Sequence, residues 1–598
     1  MLFGKYINKY YKKYWYFFLI GIIALVAVDY VQLYQPEYLG AIVDHLSSDG
    51  PVDKTFVASI VTKLIIIAAI MFAGRMIWRY TLFNASQRIE AGIRREMFRK
   101  AERLSQNYYH ETKVGSIMSW FTTDLETIEE FCGFGTVQLV DAFFLGLLVI
   151  IKMLRLDYVL ALFALIPMVL IIIWGALVEK YMAMKWEDRQ KQYDRLYDFT
   201  QENFTGIRVI KAFVKETSEL HAFAKVARKN RDTNISFVRL SVFFDVIINL
   251  IISAITAMIL GFGSWFVYSF VTGTPITIFG HAIELSAGNL VTFIGYFDSL
   301  IWPMIAMGQI VTMFSRARTS LKRVSDFLDA EEDVTDSPGA RDLENVRGEI
   351  EIKNLTFEYP SKKGMKMLDD VSLKIEAGWN VGIVGRIGTG KSTLLATLLR
   401  LYNVDRGCVY IDGRDIMDCT MRSVRDNIAF VPQDNFLFSD TVGANIAFSR
   451  EDATDEEIKA AAVFADVDEN ITAFKDGYDT VMGERGVTLS GGQKQRVSIA
   501  RAYLKNAPVL LMDDSVSAVD VKTEETILEN IRRDRAGKTT IVVASRVSTV
   551  SHFDRILVLT EGKVEAFDTP ENLMKTSPTY QKMVYLQELE REVEGGVR

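Results

Sequence analysis

The chain has 598 residues, of which 49% are hydrophobic and 24% charged, with a formal net charge of −7 and a mean hydropathy of +0.14. This composition excludes a disordered or collagen-like chain, and the acidic balance offers no global field for nucleic acid. Cys132, Cys408 and Cys419 are too few and too scattered for a disulfide framework or a zinc site, and the five histidines show no metal-ligand spacing.

The apolar mass lies before residue 320. Six stretches, near 15–35, 57–80, 133–153, 156–178, 241–271 and 288–313, meet the about 20 helical residues that a hydrocarbon core requires. The first reads as an uncleaved anchor, because its apolar run is too long for a signal peptide and no small-x-small site follows it. Basic residues orient the helices. Lys5, Lys9, Lys12 and Lys13 place the N-terminus in the cytoplasm, as Arg88 to Arg103 and Arg316 to Arg323 do for the segments after the second and sixth spans. Residues 36–55 hold Lys54 alone and residues 271–288 no Lys or Arg, so both face outward; Lys152 and Arg155 are the one exception. Residues 81–132 and 179–240 carry the helical pattern beyond the membrane, with short bends expected near 107–115 and 199–215.

A transmembrane domain over 1–325 is thus followed by an acidic linker over 326–347 that contains Pro338 and Gly339. From 348 to 598 short apolar strands alternate with helices, an α/β nucleotide-binding layout. Gly385, Arg386, Ile387, Gly388, Thr389, Gly390, Lys391 and Ser392 match G-x-x-x-x-G-K-[ST] between a strand and a helix that continues with Thr393. Such glycines turn backbone N–H groups toward phosphate, the lysine reaches the β/γ-phosphates, and the serine holds Mg²⁺. A later strand ends at Asp513, where a phosphate-loop enzyme places its Mg²⁺-organising acid.

Between these motifs stand Leu489, Ser490, Gly491, Gly492 and Gln493, followed by KQRVSIARA. This resembles the signature of the ATP-binding cassette (ABC) transporters. Tyr359 resembles the aromatic that stacks on adenine, Gln433 the Q-loop glutamine that also reaches the metal, GERG at 483–486 the segment preceding the signature in exporters, and SAVD, ending at Asp520, the D-loop. The resemblance covers essentially the whole chain. It implies ATP and Mg²⁺ as cofactors, six transmembrane helices with long cytoplasmic extensions fused to a C-terminal α/β P-loop ATPase cassette, and a dimer in which the signature of one chain completes the ATP site of the other.

Two positions depart from the family pattern. Asp514 stands where a glutamate polarises the attacking water, and Ser545 stands where a histidine contacts the γ-phosphate. Shortening Glu to Asp withdraws the carboxylate by about 1.5 Å, and a misplacement of ~1 Å costs on the order of 10²-fold. Serine cannot replace an imidazole. The signature itself is complete. The resemblance therefore implies the degenerate-site subunit of a bacterial heterodimeric multidrug exporter: a weakly hydrolytic site of its own, and a partner half-transporter with intact glutamate and histidine. The expected location is the bacterial plasma membrane, multi-pass, with both termini cytoplasmic.

For cargo, ionisable residues within a span face a cavity or a partner. Asp141 and Asp298, with Phe297 and Trp302, suit a small amphipathic cation; Arg75 is a candidate partner for Asp141. Rival readings keep the fold but export a lipid, peptide or cofactor, gate a channel, or hydrolyse slowly as a homodimer.

Overall fold

Within hydrocarbon every backbone polar group must be satisfied inside its own segment, which leaves helices as the form for the apolar stretches. The computed structural model describes residues 4–47, 53–274, 276–278, 281–483, 489–517 and 519–595. All six predicted spans lie on helices: α1 (Lys5–Gln32), continued by α2 (Tyr34–Ser47), then α3 (Lys54–Arg103), α4 (Val114–Leu156), α5 (Tyr158–Thr205), α6 (Glu216–Val271) and α7 (Ala287–Leu328). Among the described residues, five helical stretches cross a membrane by length and composition; α5 adds an apolar portion over Tyr158–Leu170. At 50 residues, α3 is about 75 Å long, more than twice the ~30 Å hydrocarbon thickness. The bends expected between long helices are the short helices Gln106–Glu111 and Ile207–Ala212.

The chain divides into two compact units. One comprises Met1–Arg99 and Ile117–Asp329, the other Lys100–Ser116 and Ala330–Arg598. Helix α7 runs to Leu328, past the anticipated end at 325, and the first bend belongs with the cassette. The 326–347 linker is not free. Arg400, fully buried, donates to Thr335 O at 2.7 Å; Ser337 Oγ donates to Met417 O at 2.9 Å; and Arg341 N donates to Asp418 O at 3.1 Å. Backbone contacts of this kind are invisible in an acidic, loop-like composition.

In the membrane unit polar groups are paired across helices. Asp44 of α2 caps α7, accepting from Ser286 Oγ at 2.8 Å and from Gly288 N at 2.7 Å. Lys152 pairs with Glu37 at 2.6 Å, and the Tyr296 hydroxyl donates to the same carboxylate; Lys152, expected in a loop, lies in the last turns of α4 and its charge is neutralised. Helix α4 contains three π-helical turns, Trp120–Asp124, Phe131–Gly135 and Asp141–Leu145. Each shifts the helical face, and Asp124, Gln138 and Asp141 all meet α7: Asp124 takes Ser320 and Arg323, and Gln138 takes Gln309.

The cassette holds β1 (Ile350–Glu358), β2 (Lys366–Ile375), β3 (Asn380–Val384), β4 (Val409–Ile411), β5 (Ile428–Val431), β6 (Val509–Asp513), β7 (Thr539–Val543), β8 (Arg555–Thr560) and β9 (Lys563–Asp568). One sheet runs β9-β8-β3-β7-β6-β5, parallel except for β9; a smaller antiparallel sheet contains β2-β1-β4. Strands of the parallel sheet are apolar on both faces because both are covered. Leu510 and Met512 enter one core while Val509 and Leu511 enter the other.

Helices α2 and α7 touch at glycines. A Cβ on Gly40 would stand 2.1 Å from Thr292 Oγ1 and 2.3 Å from Gly288 O, whereas one on Gly261 meets nothing within 4 Å. Small residues permit such approach. Gly40→Leu should therefore lower stability by about 1–3 kcal/mol through overpacking and Gly261→Leu should not, as read from melting temperatures of the detergent-purified protein.

Candidate nucleotide site

Four segments leave the parallel sheet at one edge. β3 leads into the phosphate loop, β5 toward Gln433, β6 into Asp513 and Asp514, and β7 into Ser545. In open α/β sheets ligands bind outside the carboxyl ends of the strands. Sequence-distant candidates are thus brought together by strand order.

The loop is shaped by its glycines. Gly385 has φ +158° and a Cβ there would stand 2.4 Å from Leu559 O; Gly390, φ +92°, would meet Met367 O at 2.5 Å. Ile387 at the tip is fully exposed, while Thr389 is buried and its hydroxyl donates to Arg386 O at 2.9 Å. The loop ends on the N-terminus of α8 (Lys391–Leu398), where free N–H groups and the helix dipole favour an anion. Lys391 Nζ curls back to donate to Gly385 O and Arg386 O at 2.8 and 2.9 Å. Burial pushes its ammonium below the usual lysine range, with Asp514 and Asp513 opposing. A half-buried cation resting on carbonyls is matched to a phosphate.

Asp513 is buried and accepts from Ser392 Oγ at 3.0 Å. Burial raises its pKa, which the serine hydroxyl partly offsets. A hydroxyl and one carboxylate are the sparse oxygen set that Mg²⁺ uses beside phosphate and water, so the residues fit that ion. Tyr359 packs edge-on to Phe357 and Tyr402, each with ring centroids 5.2 Å apart, and its hydroxyl meets Thr393 Oγ1 at 2.9 Å.

At the two departing positions, Asp514 lies in the left-handed region at φ +44°. Its Oδ1 accepts from Ser545 N at 3.2 Å. The signature opens α9 (Gly491–Leu504). Ser490 is its N-cap, in a capping box: Gln493 N donates to Ser490 Oγ at 3.3 Å and Ser490 N to Gln493 Oε1 at 2.9 Å. Gly491 is exposed, with open space where a Cβ would sit, and Gly492 is half-buried. Asp520 caps the next helix, accepting from Thr523 N at 3.1 Å, and that bond holds its carboxyl below the usual range. Of GERG, residues 484–486 lie outside the described residues, as does Ala518 of the D-loop segment.

A family model described as "ABC transporter transmembrane region" matches residues 18–304, and one described as "ABC transporter" matches 368–517. The chain is 32% identical over 593 residues to the Bacillus subtilis (strain 168) "Probable multidrug resistance ABC transporter ATP-binding/permease protein YheI", covering 99% of each. The chain belongs to the ABC transporters. It is also 33% identical to the Escherichia coli (strain K12) "Multidrug resistance-like ATP-binding protein MdlA", over 98% of this chain and 96% of that protein. The structure of a bacterial Atm1-family ABC exporter with ATP bound superposes with a TM-score of 0.77 at 25% identity, covering 96% and 98% of the two chains. The fold expected from sequence, a helical membrane domain with a C-terminal ABC ATPase cassette, therefore holds, and this ABC exporter is an ATPase-coupled transporter.

Sequence reasoning assigned no role to Arg501. Its guanidinium donates to Asn445 O at 2.8 Å, to Asn445 Oδ1 at 3.0 Å and to Phe436 O at 3.1 Å, fastening the chain that follows the exposed Gln433. Burial pushes its pKa down to about 10. Its place in IARA was the available signal, but the partners are some 60 residues away in sequence.

In the membrane unit Trp302 Nε1 donates to Asp141 Oδ2 at 2.8 Å, so these two candidates do meet. The structure places the other cargo candidates as follows. Phe297 is fully buried in packing with Phe293 and Tyr296, Asp298 is exposed apart from them, and Asp141 takes Trp302 where Arg75 was expected. A helix face is set by neighbours, which residue type alone does not disclose.

Burial of Asp513 has a measurable consequence. Its folded pKa lies above 3.8, so ionisation opposes folding above the folded pKa, and the cost disappears as pH falls through 3.8. Asp513→Asn keeps an acceptor for Ser392 and should raise the melting temperature of the nucleotide-free protein at pH 7. The gain should shrink on acidification; a lower melting temperature at pH 7 would contradict it.

Proposed function

We propose that this chain is the degenerate-site half of a heterodimeric exporter of amphipathic, multidrug-type compounds. The observation that carries the reading is the Asp514–Ser545 contact at 3.2 Å. The short carboxylate is engaged by the backbone of the loop that should present a histidine. Phosphate and metal-binding residues, by contrast, are complete: Lys391 and the loop N–H groups orient phosphate, Ser392, Asp513 and Gln433 attend Mg²⁺, and Tyr359 faces adenine. Mg²⁺, when bound, supplies charge neutralisation on the phosphates. Such a site binds ATP and turns it over slowly.

The exposed Ser490–Gly491 cap supports donation of a signature to a partner's site. Apolar surface left open in one chain supports a second chain as well: the bend after α5 exposes Phe204, Val209, Phe213 and Val214, and the cassette exposes Phe436, Phe438 and Phe448. The names of the relatives support multidrug cargo. The Asp141–Trp302 contact supports these two as cargo residues, an acid and an indole suited to an organic cation. With Lys152 neutralised by Glu37, Arg155 alone departs from a basic-residue pattern that agrees with cytoplasmic termini in a bacterial plasma membrane.

The test is ATP hydrolysis by the chain alone, by the chain with its co-purifying partner, and by Asp514→Glu/Ser545→His. Activity alone should fall on the order of 10²-fold below the two-chain complex, and the double variant should recover at least part of it. Brisk turnover by the unmodified chain alone replaces this reading with a homodimer.

A further inference from the structure

A groove lined by four cations lies where α1 bends. Its helical dihedrals break at Tyr14 (φ −110°, ψ 20°). Just before the break the Tyr10 ring packs onto Gly92 of α3, where a Cβ would stand 2.3 Å from the ring. The contact leaves a cavity of about 300 Å³ bordered by Tyr10, Lys13, Tyr14, Arg88, Arg95 and Arg99. Its one carboxylate, Glu96, is already engaged: it takes the Tyr10 hydroxyl at 2.7 Å and pairs with Lys9 outside the cavity. Among the described residues none of the four cations has an ion-pair partner.

The depth of the groove is set by the sequence around it. Lys13 and Arg88 both lie over the Tyr14 ring, at 5.4 and 5.9 Å from its centroid, and Arg88 also lies over Phe17 at 5.0 Å. Trp15 and Tyr16 are exposed beside them, and the exposed apolar residues Leu19, Ile20 and Ile23 follow on α1. Basic residues, then an aromatic band, then apolar surface is the order met on passing from water through headgroups into acyl chains. Four like charges around so small a space repel one another and favour an anion between them. At headgroup depth the abundant anion is a lipid phosphate, and basic pockets between membrane helices bind such headgroups.

We propose that this groove binds the phosphodiester headgroup of an anionic phospholipid, whose acyl chains run along Leu19, Ile20 and Ile23. The bound headgroup clasps the kinked start of α1 to α3. The role is independent of the nucleotide site and of cargo.

The test uses the full-length protein in neutral detergent, with native mass spectrometry counting bound dioleoylphosphatidylglycerol against dioleoylphosphatidylcholine. The glycerol lipid should be retained in preference to the choline lipid. Arg95→Gln/Arg99→Gln should weaken it about 30-fold, at about fivefold per basic side chain, and the single exposed change Lys13→Gln about fivefold, with choline-lipid binding unchanged in both. Size-exclusion profiles and melting temperatures in the choline lipid establish that the variants fold. Equal retention of the two lipids by the unmodified protein, or undiminished glycerol-lipid binding by the folded variants, overturns the proposal. Displacement of the lipid by glycerophosphoglycerol at equal phosphate concentration also overturns it, because a free phosphate then suffices.

Discussion

The parallel hydrogen-bond register of three strands is the constraint on which the nucleotide site rests. Val543 of β7 stands opposite Ile383 of β3 and Asp513 of β6, so the three chains leave the sheet at one level. The ladder extends past the strands: Asp514 N donates to Val543 O and Ala544 N to Ile383 O, both at 3.0 Å. A slip of one residue would exchange Leu510 and Met512 with Val509 and Leu511 between the two cores. Both cores hold the register, and the register delivers the phosphate loop, the acid pair and Ser545 to one edge.

The membrane unit answers a different constraint, the absence of water around its polar side chains. Its solution is pairing between helices distant in sequence: Asp44 with the α7 N-terminus, Glu37 with Lys152, and Asp141 with Trp302. Three π turns in α4 re-aim its polar positions, and two glycines bring α2 onto α7. The Glu37–Lys152 pair also removes Lys152 from the exception to the charge asymmetry, since a neutralised lysine contributes little to orientation. The four cations near the α1 kink stand out because, among the described residues, none has an ion-pair partner.

Much of this was legible in the chain itself. The spans were visible because a hydrocarbon core demands uninterrupted apolar length, a property local in sequence. The phosphate loop and the signature were visible because each is one contiguous turn feeding a helix, with its glycines and cap residues adjacent. Asp514 and Ser545 were recognisable as departures for the same reason. Phe297 shows where this reasoning stops: an aromatic beside an acid suggested a cavity, yet Phe297 packs in the helical core while Asp298 is exposed.

The sequence by itself determined the two-part architecture, the apolar helices and the phosphate-loop motif, because each is encoded by neighbours in the chain. Only the tertiary structure decided that Asp514 bonds the Ser545 backbone, that Arg501 fastens the segment after Gln433, that Trp302 takes Asp141, and that the linker lies along the cassette. Those pairings join residues tens to hundreds of positions apart. Their partners are chosen by strand register and helix packing, for which no local pattern in the chain is sufficient.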